Sequence, residues 1–324
     1  MNRVWRSAAL HAALLALGWP AWCQERPLKD SEARAAAILF QRFESLAYSK
    51  PGLLTGSKPY DALPSQVAKP LQFPFYILTG GLNALGNQAA NKVLENADSV
   101  FVGVKDFRPP AGLGPVRSQN CFVIVLKNGS DLELRNFFGR LPVSSETGVP
   151  VWKWSAKLGE FGELDAKASS LYAAKVMPSY LLVSNNLEEL QALAKRLNTS
   201  DDVTQVLGEL RDWDSVRQHE MWGYRRYRHD GVDNLVAAGM DRVDQAARAL
   251  VFLFDREKNN FTLWVFVVPG EEGTIARINA SGLFGRMKSR GGGRWERVVP
   301  LGNDLETLEQ VATVMAMLGF GFYV

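Results

Sequence analysis

From residue 99 the apolar pattern of this 324-residue chain changes period, and no other feature constrains its fold as much. Ser99-Val100-Phe101-Val102-Gly103-Val104 and Asn120-Cys121-Phe122-Val123-Ile124-Val125-Leu126 are β-rich runs on either side of a loop, Pro109 to Pro115. Val149 to Trp154, Leu171 to Met177 and Tyr180 to Ser184 read as three more strands. Pro178-Ser179 makes a tight connection between the last two. Ala249 to Asp255 and Phe261 to Val268 flank Arg256 to Asn260 as a hairpin, and a short strand follows around Trp295 to Val299.

Helical spacing dominates elsewhere. Residues 30–48 carry Leu39, Phe43 and Leu46 on one stripe behind a cap at Asp30 or Ser31. Pro51, Pro59, Pro64, Pro70 and Pro74 forbid a regular helix over 49–75 and suit an extended strap. A helix is predicted at 82–96, another from Asp131 to Leu141 and a third at 187–197, where Leu187, Leu190, Leu193, Ala194 and Leu197 share one side. Helical pattern returns at 203–226 and 232–247, and Asp304 can cap a last helix through about Leu318. The fold class expected is α+β: antiparallel or mixed sheets with packed helices, with two similar modules as one arrangement. The first module would be residues 99–200 and the second 201–324, behind N-terminal helices and the strap at 24–98.

The first two dozen residues read as an export signal. Arg3 and Arg6 precede an apolar core of about ten residues, too short for the roughly 20 a spanning helix needs. Ala21-Trp22-Cys23 before Gln24 offers small residues for cleavage after Cys23. The protein is thus expected outside the cytosol, in the periplasm or extracellular space. Lipidation at Cys23 or an uncleaved anchor are the alternatives. Cleavage removes Arg3 and Arg6 and lowers the formal charge from +3 to +1, so nothing global points to nucleic acid. It also leaves Cys121 with no disulfide partner, a thiol expected to pack in a strand.

Motifs for chemistry are sparse. No histidines stand three or four apart and no Cys-x-x-Cys exists, so no metal site is implied. No dinucleotide fingerprint, Walker loop or Gly-x-Ser-x-Gly elbow is present, and no cofactor is implied. A general base would have to be His219 or His229, oriented by Asp212, Asp214 or Asp230. The most unusual stretch joins Trp222, Tyr224, Arg225, Arg226, Tyr227 and Arg228. A basic glycine loop at 284–295 adds Arg290 and Arg294. Arginine forks beside aromatic rings can grip anionic groups, and if the two stretches converge they make an anion-binding face. The competing reading packs Trp222, Tyr224 and Tyr227 at a module junction while the arginines stay wet or pair with acids. Trp152 and Trp154 alternate onto one strand face, as core or as a sugar platform.

Over about residues 99–197 the order of Ser99–Val104, Cys121–Leu126, Leu171-Tyr172-Ala173-Ala174 and Tyr180–Asn186 into Leu187-Glu188-Glu189-Leu190 resembles exported bacterial α+β proteins of unknown function. The resemblance implies no activity and transfers no catalytic residue. The expectation is an exported envelope protein that binds or scaffolds, with an anionic glycan, a lipid or an envelope protein as partner. The alternatives are a cofactor-free hydrolase and a membrane-associated assembly factor.

Overall fold

The computed structural model describes residues 30–51, 92–108, 117–128, 130, 132–135, 142, 148–155, 170–176, 179–199, 204–207, 212–227, 246–255, 258, 260–280 and 287–300. The export segment, most of the strap, Asp131, residues 136–141, residues 228–245 and the C-terminal helix predicted from Asp304 lie outside them. So do the side chain of Trp154 and the whole of Arg228, His229 and Asp230.

The expected α+β body is wrong. The described chain is dominated by a single eleven-stranded sheet in which every ladder is antiparallel. A helix, α1 (Asp30–Arg42), leads directly into β1 (Ser45–Ser49). Then come β2 (Ala97–Arg108), β3 (Arg117–Leu126), β4 (Val151–Ser155), β5 (Ser170–Val176), β6 (Tyr180–Ser184) and the helix α2 (Leu187–Asn198). Two single turns follow, α3 (Thr204–Leu207) and α4 (Trp213–Val216). After them come β7 (Met221–Arg226), β8 (Ala247–Asp255), β9 (Asn260–Val267), α5 (Glu272–Ala280), β10 (Lys288–Ser289) and β11 (Arg294–Pro300). Across the sheet the order is β10-β11-β9-β8-β7-β1-β2-β3-β6-β5-β4.

Two predicted helices are the source of the error. The 30–48 helix stops at Arg42, and its last predicted turn becomes β1, the strand that joins the two halves of the sheet. Leu46 lies opposite Gly103 on one side and Tyr224 on the other. All five β1 residues are buried, so tertiary pairing overrides the helical spacing that carried through Leu46. The 203–226 helix breaks into α3, α4 and β7. Asp212, directly before α4, has φ 55°, a left-handed conformation at which that turn starts. The remaining strands match their sequence reading closely, including the hairpin in which Asp255 pairs with Asn260, except that the edge strand β10 falls in the predicted basic loop.

Each face of the sheet carries its own apolar cluster. On one, α1 and α2 lie over Phe101, Cys121, Val123, Leu182, Trp222, Val251 and Trp264. On the other are Val100, Val102, Phe122, Ile124, Leu250, Phe252, Leu263 and Val265. Ala35 through Phe40 are all buried, so α1 is enclosed all round rather than amphipathic at that level. It approaches β2 so closely that a Cβ on Gly103 would stand 2.6 Å from the Phe43 ring. Glu189 of α2 secures this packing: Arg42 Nε and Lys105 Nζ both donate to its carboxylate, which is 6% exposed. Burial alone would push that carboxyl's pKa up, but the two donors reverse the effect and hold it below the ordinary range. Asn186 caps α2 by accepting from the Glu189 amide at 3.1 Å.

Candidate functional site

Strand alternation divides the aromatic-basic stretch between the two faces. Trp222, Tyr224 and Arg226 take the α1 face, while Arg225 and Tyr227 take the other. Trp222 is wholly buried. It stacks on Tyr48 with centroids 5.4 Å apart and meets Trp213 edge-on at 5.4 Å. Tyr224 meets Phe40 edge-on at 5.4 Å. Arg225 is only 3% exposed, and its guanidinium lies 5.0 Å from the Tyr227 ring centre. Arg226 stacks 4.8 Å from Phe40 and donates from Nη2 to the Phe40 carbonyl at 3.4 Å. The aromatic rings are thus buried, as in the competing reading, but Arg225 and Arg226 lie against rings rather than staying wet as that reading had them. Arg228 lies outside the described residues.

The glycine loop is the turn of the β10–β11 hairpin at the far edge. Arg290 donates from Nε (2.8 Å) and Nη2 (2.5 Å) to Glu296 Oε1, while Trp264 Nε1 donates to Glu296 Oε2 at 3.1 Å. Arg294 lies 4.8 Å over the Trp264 ring and donates from Nη1 to Asp212 Oδ2 at 2.6 Å. Arg290 and Arg294 thus converge on Trp264 and its partner Glu296, Asp212 is the second carboxylate, and Lys288 stands opposite Glu296 in the ladder. Sequence reasoning passed over Trp264 and Glu296, and took Lys288 only as part of the basic loop. Their signal was period two: Lys288, Glu296, Trp264, Val251 and Tyr224 form one cross-strand row.

The two basic stretches do not converge. Arg226 shares a row with Ala249, Phe266 and Arg294. Three strand spacings therefore separate the arginines, about 14 Å at the usual 4.7–4.9 Å each. Among the described residues of the predicted face, the exposed one is Arg290, at the hairpin end.

The histidine reading also changes. Asp212 is held by Arg294, and Asp214 pairs with Arg217 at 3.0 Å. His219 instead lies beside the Phe254 carbonyl and Asp255 at the start of β7. Burial pulls its pKa down, with that carbonyl and Asp255 opposing, so it is neutral near pH 7. Cys121 is fully buried, and burial raises its thiol pKa far above the ordinary range, with the Ser184 contact opposing. Trp152 is partly buried against the core on the face opposite α1, which withdraws it from a sugar platform. Among the described residues no cluster of His, Cys, Asp and Glu could hold a metal ion. No described helix is long and apolar enough to cross a membrane.

No family model matches the chain, and no curated protein matches it. Among solved structures the chain is similar to TP0453. Crystal form I gives 9% identity and a TM-score of 0.41, covering 87% of this chain and 97% of that one. Crystal form IV gives 9% and 0.40 over 87% and 96%. At such identities and scores the likeness transfers no site and no activity.

Proposed function

We propose that this chain is an exported, non-enzymatic binding protein of the cell envelope, and that its ligand surface is the hairpin end of the sheet. What supports export is the N-terminal run from Arg3 to Gln24. What supports binding is a single observation: Lys288 and Arg290 are exposed on the edge hairpin that also carries Arg294, which lies over the Trp264 indole, while the other described candidate cations, Arg225 and Arg226, are engaged by core rings. Guanidinium groups held by carboxylates and rings lose little side-chain freedom on meeting an anion. An anionic glycan, a lipid headgroup or an acidic envelope protein would each meet this surface as counter-charge.

The experiment is retention of the purified protein on immobilised lipopolysaccharide and acidic glycans, beside a Lys288→Ala/Arg290→Ala variant. Retention by the parent that falls at least fivefold in the variant is expected. Equal retention of both would refute the assignment of the surface. Absence of the protein from envelope and secreted fractions would refute the location.

A further inference from the structure

The β10–β11 hairpin presents a row of unused backbone donors. Gly291, Gly292 and Gly293 have φ of 81°, 60° and 74°. The Arg294 amide donates to the Gly291 carbonyl at 3.0 Å, closing a turn with Gly292 and Gly293 at its centre. Positive φ at both central residues is the geometry that suits a two-residue hairpin turn. Gly291 stands before that turn and is left-handed as well. The carbonyls of Gly291 and Gly293 are used, the second by the Val267 amide at 2.8 Å. The three glycine amides donate to nothing among the described residues. A Cβ at Gly291 or Gly292 would meet no atom within 4 Å, so the tip is open. Successive backbone N–H groups in turns form concavities that take anions.

Charge accompanies those donors. Arg290 is 48% exposed and commits Nε and Nη2 to Glu296, leaving Nη1 unbonded among the described residues. Lys288 is exposed and makes no ion pair among them. Glu296 opposes an incoming anion, but its two oxygens already accept from Arg290 and Trp264, and it lies opposite Lys288 in the ladder.

We propose that the hairpin tip, from Lys288 to Gly293, binds a phosphate group. Three amides, an ammonium and one guanidinium nitrogen supply more donors than a carboxylate's two oxygens can use. The three terminal oxygens of a phosphomonoester match them better, with a charge of about −1.5 to −2 near pH 7. This inference rests on the binding reading above and names the chemistry of that surface.

The test follows the glycine amide resonances of 15N-labelled protein titrated with inorganic phosphate at constant ionic strength, with acetate as control. Saturable shifts at Gly291–Gly293 are expected, with apparent Kd raised at least fivefold in Lys288→Gln/Arg290→Gln. Unshifted glycine amides, or acetate binding as tightly as phosphate, would overturn the proposal. Unchanged resonances elsewhere establish that the variant is folded, and Lys288→Gln alone, with an intermediate loss expected, serves if it is not. Glycerol phosphate and phosphatidylglycerol vesicles, set against phosphatidylcholine vesicles, then separate a soluble ester from a headgroup, and binding to either supports the site. Retention on envelope ligands without phosphate shifts would sink this inference and leave the binding reading intact. Phosphate shifts without such retention would do the reverse.

Discussion

Gly103→Ala should destabilise the protein by removing the close approach of α1 to β2. An added Cβ would stand 2.6 and 2.7 Å from two Phe43 ring carbons and 3.0 Å from Leu39 Cδ2. Carbon atoms prefer roughly 3.5–4.0 Å, so three contacts are short by about 0.5–1 Å. Neither neighbour has room to yield: Leu39 is fully buried and Phe43 is 1% exposed. Overpacking of this kind costs about 2–3 kcal/mol. Replacing a strand glycine returns about 0.5–1 kcal/mol through lost unfolded-state freedom. The net loss is about 1–2.5 kcal/mol, a fall in Tm of about 1.5–4 °C for a chain of this size. Thermal melts and urea titrations measure it. Phe43→Leu in the Gly103→Ala background should recover part of the loss, because the two sites share the clash. An alanine variant as stable as the parent would refute the packing of α1 on β2.

Three further outcomes follow from buried groups. Glu189→Gln should cost about 2–3 kcal/mol by chemical denaturation, because Arg42 and Lys105 lose a shared anion, though both still reach water. In the parent, the folded-state carboxyl of Glu189 titrates below its unfolded value. Its contribution is therefore complete above about pH 4.5 and is lost as pH falls below that, a loss the Gln variant should lack. His219 is also depressed when folded, so its contribution is present above about pH 6.5 and declines on acidification from there. A His219→Gln variant should flatten that part of the stability profile, and an unchanged profile would contradict the burial of the imidazole. Cys121 should resist thiol reagents in native protein and react only on unfolding, and stoichiometric native labelling would contradict its place in β3.

What the sequence made legible was the body of the sheet on either side of its central strands. β3, β6, β8 and β9 announce themselves through unbroken apolar runs, because a strand buried on both faces needs no polar alternation. The centre was hidden for the same reason in reverse. Ser45-Leu46-Ala47-Tyr48-Ser49 holds two serines and an alanine, and Leu46 continues the Leu39–Phe43 helical stripe. Only pairing with β2 and β7 makes it a strand. β7 was hidden by Arg225, a cation in a strand that is almost wholly buried, which local pattern assigns to a helix surface. Reading 222–228 as one continuous surface followed from that error, because period two sends neighbours to opposite faces. At the hairpin, the basic glycine loop was visible in sequence. Trp264 and Glu296 were not, since each is 30 or so residues from its partner and meets it only through the β9–β11 ladder.

The binding account stands on the hairpin end. Retention of purified protein on immobilised lipopolysaccharide and acidic glycans, parent beside Lys288→Ala/Arg290→Ala, tests it most directly. The account predicts firm retention of the parent and at least a fivefold loss in the variant, with the fold retained. Equal retention of two folded proteins would contradict it.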